Sequence, residues 1–299
     1  MRAFVTGGHG FAGPWLARHL AERGDEVVLA DPSVDVTDAD GLRQAVEKAR
    51  PEVVYHLAAQ ASVGASWDAP AQTFAVNTLG TVHLLGAVRA CAPTARVLLV
   101  SSVEVYGVVP AADLPLTEQH PFRPAAPYAA SKAAAELAGL QAHLGWGLDV
   151  VTVRPFNHTG PGQSDRFFVP SMARQIVEGQ RRGVTELRTG NLDVRRDLLD
   201  VRDVVRAYRL LAEHGTAGEV YNLCTGTSVL LADVVQQMLA EAGWPMVVST
   251  DPSRFRPVDL PDLRGDPARL VRATGWQPEI GLAETLRDVV EYWRRGPAA

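Results

Sequence analysis

The sequence predicts an α/β fold, a doubly wound parallel sheet joined to a smaller, loop-rich carboxyl-terminal part. Short β-branched runs alternate with longer helical patterns through the first half, as parallel βαβ units require. The first of these runs, Met1-Arg2-Ala3-Phe4-Val5, leads into the glycine turn Thr6-Gly7-Gly8-His9-Gly10-Phe11-Ala12-Gly13, which opens a helix through Leu16, Ala17 and Leu20. Beyond Arg154 the texture changes: residues 155–170 hold three prolines and two glycines, and residues 251–267 hold four prolines.

Strand, glycine turn and helix together place backbone N–H groups and a positive helix end where a dinucleotide pyrophosphate can sit. Gly7 suits the tight turn, Gly10 lets the pyrophosphate approach the backbone, and Gly13 lets the helix pack close to the sheet. Pro14 falls in the first helical turn, where a missing N–H costs little. The second run, Glu26-Val27-Val28-Leu29-Ala30, ends in Asp31. That is roughly the 20-residue distance expected of a carboxylate that bonds the adenosine ribose hydroxyls. The pattern is Rossmann-like. Pro32-Ser33 offers no arginine to meet a 2′-phosphate, which favours NAD(H), with NADP(H) as the second candidate.

Val53-Val54-Tyr55-His56-Leu57 reads as the third strand and Arg96-Val97-Leu98-Leu99-Val100 as the fourth. Between them one apolar-periodic segment, from Pro70 through Phe74, Leu79, Val82, Leu85 and Val88, reads as a single helix despite Gly80 and Gly86. A helix starting near Pro127 carries Tyr128 and Lys132, and Leu148-Asp149-Val150-Val151-Thr152-Val153 is the fifth strand. Helical patterns follow at Met172 to Gln180, Val201 to Glu213, Leu231 to Ala242 and Leu282 to Trp293. Strand-like runs lie at Glu219-Val220-Tyr221-Asn222-Leu223 and Met246-Val247-Val248. This organisation predicts a dinucleotide-binding domain over residues 1–155, to which residues 200–225 return. A smaller, loop-rich part, mainly residues 156–299, is expected to close over the carboxyl-end crevice of the sheet.

With 299 residues the chain is long enough for one substantial core or for two unequal domains. A hydrophobic fraction of 46%, a charged fraction of 21% and a formal net charge of -5 give no electrostatic reason to expect nucleic acid or an anionic membrane as partner. An anionic substrate then needs a local arginine cluster. Cys91 and Cys224 sit in apolar stretches and make no disulfide framework, which predicts buried thiols in a reducing compartment. No apolar run approaches the roughly 18 residues of a membrane span, and Met1-Arg2-Ala3 runs straight into a strand. A cytoplasmic location and no metal site are expected.

Tyr128-Ala129-Ala130-Ser131-Lys132 sets a phenol and an ammonium four residues apart, on one face of a helix. A phenol with a pKa of about 10 is a poor acid–base catalyst at neutral pH, whereas an adjacent ammonium favours the phenolate and brings it into range. The lysine can also bond the nicotinamide ribose, and Ser102, at the end of the fourth strand, can give a hydroxyl to a substrate oxygen. Arg196 and Arg256 fall in predicted loops. A planar guanidinium binds phosphate oxygens bidentately, so both are candidates for a diphosphate. Asn157 follows the fifth strand, so its amide would reach the crevice. His158 beside it is as readily a satisfied loop histidine as a substrate contact.

The glycine loop, Ser102 and the Tyr128/Lys132 pair resemble the extended short-chain dehydrogenase/reductase family, and the match runs over nearly the whole chain. His56-Leu57-Ala58-Ala59-Gln60 and Asn77-Thr78-Leu79-Gly80-Thr81 look like that family's cofactor-side stretches. The resemblance implies a cofactor surface of Gly7, Gly10, Phe11, Gly13, Asp31, Asp35, Val36, Leu57, Ala58, Ala59, Asn77, Ser101, Tyr128, Lys132 and Pro155. Arg154-Pro155-Phe156-Asn157-His158-Thr159-Gly160-Pro161-Gly162-Gln163, Arg195-Arg196-Asp197 and Arg256-Pro257-Val258-Asp259 are similar to the GDP-sugar branch. They imply a GDP-linked hexose held by Asn157, Val169, Arg196, Arg256 and Asp259, which makes residues 156–299 mainly the nucleotide-sugar-binding domain. The resemblance also implies a homodimer paired through the helix of residues 70–90 and the Tyr128 helix, whose alanines would permit close approach.

Dehydratases of this superfamily carry a hydroxyl residue, then Asp or Ser, then Glu. Here Ser102 and Glu104 flank Val103, whose isopropyl group can move no proton. With Ser102, Tyr128, Lys132 and Glu104 as the catalytic set, the resemblance implies a ketoreductase that turns GDP-4-keto-6-deoxy-D-mannose into GDP-D-rhamnose. A GDP-mannose 4,6-dehydratase, a nucleotide-sugar 4-epimerase and a non-catalytic dinucleotide sensor are the alternatives.

Overall fold

The computed structural model describes residues 1–255 and 258–296. The first half runs β1 (Arg2–Thr6), α1 (Ala12–Glu22), β2 (Glu26–Leu29), α2 (Ala39–Ala49), β3 (Val53–His56), α3 (Val63–Asp68), α4 (Pro70–Phe74), α5 (Gly80–Cys91), β4 (Arg96–Val100), α6 (Pro127–Trp146) and β5 (Val150–Pro155). The second half continues with β6 (Asn157–Thr159), α7 (Phe168–Arg182), β7 (Glu186–Thr189), β8 (Arg195–Arg196), β9 (Leu198–Asp200), α8 (Val201–His214), β10 (Val220–Leu223), β11 (Val229–Leu230), α9 (Leu231–Ala242), β12 (Val247–Thr250), β13 (Asp262–Leu263), α10 (Ala268–Thr274) and α11 (Leu282–Arg295).

Six of these strands form one parallel sheet in the order β10-β5-β4-β3-β1-β2, so the chain adopts the expected α/β class. Strand order reverses between β1 and β3, and a crevice opens at the carboxyl ends of strands flanking such a point. The central strands are apolar on both faces because helices cover both. On one side α1 and α8 bury Leu16, Leu20, Val204 and Tyr208; on the other α2, α5 and α6 bury Leu42, Val46, Leu84, Val88 and Ala142. A third cluster, including Met172, Ile176, Val235, Met238 and Val289, joins α7, α9 and α11. The small sheets β11-β8-β13, β12-β7 and β6-β9 carry the loop-rich remainder.

Two readings need correction at this level. The periodic segment after Pro70 is not one regular helix: a π-helical turn over Ala75–Leu79 joins α4 to α5. Such a turn rephases the side chains that follow, and here it carries Asn77 against Gln60 and Ser131. Arg196 is not in a loop. It lies in β8, between β11 and β13. Of the two free thiols, Cys224 is buried and Cys91 half-buried. Among the described residues, no helix is long and apolar enough to cross a membrane and no cluster could hold a metal ion.

Candidate active site

The glycine turn is shaped by close contacts. Gly7 has φ +68°, and a Cβ there would lie 2.6 Å from the Ala58 nitrogen, so the turn is pressed against the segment leaving β3. A Cβ on Gly13 would lie 2.2 Å from the Gly8 carbonyl oxygen, which locks α1 onto the turn. Gly10 differs: a Cβ would meet only the Gly7 oxygen, at 3.2 Å, leaving the amino end of α1 approachable. The first turn of α1 carries no carboxylate to neutralise its positive end. Asp31, exposed just past β2, accepts from Ser33 N–H at 2.9 Å and Ser33 Oγ at 2.6 Å, and these bonds hold its carboxyl below the usual range. Asp35 accepts likewise from Thr37 N–H, at 2.8 Å. Val36 is buried, with its side chain packed beneath Gly80 of α5.

Behind residues 57–59 runs a directional chain of hydrogen bonds. Thr81 Oγ1 donates to the Asn77 carbonyl at 2.7 Å, so it accepts from His56 Nε2, and His56 Nδ1 accepts from Thr6 Oγ1 at 2.7 Å. Burial, with the Lys132 charge adding to it, pushes His56 down to about 3, so the ring stays neutral and its tautomer is fixed by its partners. Asn77, expected on the cofactor surface, is buried beside the loop after β3. Its side chain bonds Gln60 N–H at 2.8 Å, the Gln60 carbonyl at 3.2 Å and Ser131 Oγ at 2.9 Å. It thereby ties the loop after β3 to the helix that carries Tyr128 and Lys132.

Ser102 caps a 3-10 turn, Val103–Tyr106, by accepting from Glu104 N–H at 3.2 Å, and it hydrogen-bonds Tyr128. Val103 is buried, while Glu104 is half-buried and engaged. Spacing alone predicts that Lys132 lowers the Tyr128 pKa. The structure reverses this: burial pushes the phenol up to about 12, against the Ser102 bond and with the Glu104 charge. The Lys132 ammonium instead donates to the Val100 carbonyl, at 2.5 Å, and burial brings it down to about 8. Two further polar atoms, Ser101 Oγ and Asn157 Oδ1, are buried without a partner among the described residues. They follow the ends of β4 and β5 at the crevice. An unpaired buried group costs roughly 1–3 kcal/mol, and a nucleotide bound between them would satisfy both. With the open Gly10 face, these atoms fit a dinucleotide and its substrate; Pro155 closes β5 beside them.

The second half contributes differently from expectation. His158 Nδ1 donates to the Phe156 carbonyl at 3.1 Å, and its ring stacks on Phe11 with centroids 6.0 Å apart, so it is a satisfied histidine of β6 packed against the glycine turn. Trp15 Nε1 donates to the Pro161 carbonyl at 3.1 Å in the same seam. Arg196 is not a solvated cation. It is buried and donates to the Arg195 and Leu260 carbonyls at 2.8 and 2.7 Å and to Asp259 at 3.1 Å. Asp259 also accepts from Asn191, at 3.0 Å, so these residues brace the lobe. Val169 is 3% exposed and belongs to the core of α7, α9 and α11, which removes its side chain from the expected substrate surface. Arg256 lies outside the described residues. Sequence reasoning passed over Glu136, one turn beyond Lys132, and the role of its partner Arg154; the four-residue spacing from Lys132 was the available signal.

A glycine turn at the switch point of a parallel sheet, with Ser102, Tyr128 and Lys132 gathered beside it, is the arrangement of the extended short-chain dehydrogenase/reductases. The model for the family described as GDP-mannose 4,6 dehydratase matches residues 31–289, and the chain belongs to that family. GDP-6-deoxy-D-mannose reductase of Pseudomonas aeruginosa is 39% identical, covering 98% of this chain and 97% of its own. The structure of RMD from Pseudomonas aeruginosa complexed with NADPH superposes with a TM-score of 0.90 at 38% identity, over 98% of this chain and 97% of that one. UDP-glucose 4-epimerase of Thermus thermophilus, in complex with NAD, gives a TM-score of 0.89 at 32% identity and covers 100% of both chains. These enzymes use nicotinamide dinucleotides, and the family consists of NAD(P)-dependent nucleotide-sugar enzymes.

Proposed function

We propose that the protein reduces the 4-keto group of a GDP-linked 4-keto-6-deoxy hexose, forming GDP-D-rhamnose. The observation that carries this reading is Val103, buried in the turn between Ser102 and Glu104. Reduction asks that turn only to orient a carbonyl, whereas expulsion of a C6 hydroxyl needs a further acid that an isopropyl group cannot supply. The likeness to the Pseudomonas reductase supports the same choice.

The nicotinamide dinucleotide supplies the hydride. The backbone of Gly7, Gly10, Phe11 and Gly13 holds its pyrophosphate, Asp31 its adenosine ribose, with Asp35 and Val36 nearby, and residues 57–59, Ser101, Lys132 and Pro155 line its nicotinamide side. Tyr128, kept protonated by burial, donates its phenolic proton to the sugar O4 while Ser102 orients the carbonyl. Asn157 and Glu104 position the sugar. Asp31 makes NAD(H) the preferred form. A second copy of the chain pairs through α5 and α6, where Val82, Leu137, Leu140 and Leu144 are exposed.

The test is a two-arm assay. With GDP-4-keto-6-deoxy-mannose and NADH the protein is expected to form GDP-rhamnose; with GDP-mannose and NAD⁺ it is expected to form no 4-keto-6-deoxy sugar. Efficient dehydration in the second arm would overturn the reading.

A further inference from the structure

One buried ion pair has no part in the proposed reduction. Glu136 of α6 and Arg154 of β5 are each 4% exposed. Arg154 Nε donates to Glu136 Oε2 at 3.1 Å and Nη2 donates to Oε1, so both carboxylate oxygens face the guanidinium. Arg154 Nη1 also donates to the Tyr106 hydroxyl at 2.8 Å, and that hydroxyl donates to Asn222 Oδ1 at 2.7 Å. Tyr106 ends the turn that Ser102 caps, and the Arg154 guanidinium lies 4.8 Å from its ring centre. Stability alone does not account for such a pair, since apolar residues of equal volume often serve as well or better.

Position does account for it. Lys132 and Glu136 are four residues apart on one helix, hence neighbours on one face, and Lys132 is itself buried against the Val100 carbonyl. We infer that Glu136 is a positioning residue that acts through Lys132: fixed by Arg154, its carboxylate is the counter-charge of the active-site ammonium. The inference rests on the proposed role of Lys132 beside Tyr128. Burial pulls the ammonium down, and the Glu136 charge opposes it. The other groups around Lys132 bear on it less. His56 of β3 is neutral, Tyr128 holds its proton, Glu104 of the 3-10 turn faces Tyr128, and Arg154 stands beyond Glu136. Loss of the carboxylate would leave Lys132 in the field of an unscreened guanidinium.

The chain has two lysines, Lys132 and the exposed Lys48. Full-length protein labelled with ¹³C at lysine Cε therefore gives two NMR signals, and the Lys132 titration is read directly with Lys48 as internal control. Glu136→Gln keeps the shape and a hydrogen-bond acceptor for Arg154 but removes the charge; Glu136→Asp keeps the charge at shorter reach. The Gln variant is expected to lower the Lys132 midpoint by about one to two pH units, while the Asp variant stays within roughly half a unit of wild type. A purely structural role reverses that order, and such a reversal, or an unmoved midpoint in the Gln variant, overturns the inference. If the Gln variant is not recovered folded, Arg154→Gln gives the same test with opposite sign: the midpoint rises, and a fall or no change overturns it. The titration needs neither substrate nor turnover, so a failed reductase assay leaves its result standing.

Discussion

Tyr128 shows how a single environment decides the direction of chemistry. Burial holds its phenol at about 12, so the proton is present throughout the physiological range and available to a developing alkoxide. Tyr128→Phe is expected to lower kcat for ketone reduction by at least about 100-fold while leaving the cofactor Kd within a few-fold, as measured by steady-state rates and fluorescence titration. Unchanged turnover would show that another group donates the proton. Lys132 titrates at about 8, charged below and neutral above, so reduction is expected to fall as pH rises through about 8. In the proposed reading Asp31 selects the cofactor. Its exposed carboxylate would repel a 2′-phosphate, and Asp31→Asn is expected to shift the NADPH/NADH affinity ratio about tenfold toward NADPH, or ~1.4 kcal/mol. A wild-type protein that already binds NADPH tenfold tighter would show that Asp31 does not face the ribose. The sequence named these side chains, but the direction read for Tyr128 from its spacing to Lys132 was the wrong one, because desolvation depends on the elements stacked over a residue and not on its spacing.

Among the elements, the glycine turn carries the strictest geometric demand. A Gly7→Ala side chain would combine a positive φ with a 2.6 Å approach to the Ala58 nitrogen, and is expected to destabilise the fold by about 1–3 kcal/mol and to weaken dinucleotide binding. Thermal melting with and without cofactor checks both effects; an unchanged melting temperature would contradict the close packing of turn and loop. Strands β1 to β5 and helices α6, α8, α9 and α11 were legible because each repeats its apolar positions with its own period. The π-helical turn was not, since the apolar period runs through it almost undisturbed and the bonds it makes through Asn77, to Gln60 and Ser131, join segments 17 and 54 residues apart. Nor was the fate of Arg196. Its pairing with Asp259 spans 63 residues, and no local pattern announces it.

At the scale of the whole molecule, the seam of Phe11 on His158 and Trp15 on Pro161 brings the segment after β5 onto the glycine turn. The outer surface carries a second feature. Ala129, Ala133 and Ala135 are buried on the inner side of α6, whereas Leu137, Leu140 and Leu144 are 53%, 41% and 75% exposed. The proposed pairing of two chains therefore rests on leucines and not on those alanines. Sedimentation is expected to give twice the monomer mass, and Leu140→Arg with Leu144→Arg to give the monomer; a monomeric wild type at micromolar concentration would end that proposal. The central claim is net reduction at the sugar, and it is tested most directly by supplying GDP-4-keto-6-deoxy-mannose with NADH deuterated at nicotinamide C4, using in turn each of the two labelled faces. One deuterium is expected at C4 of GDP-rhamnose from one face and none from the other. A product without deuterium from either face, or an isomer formed with no consumption of NADH, would contradict it.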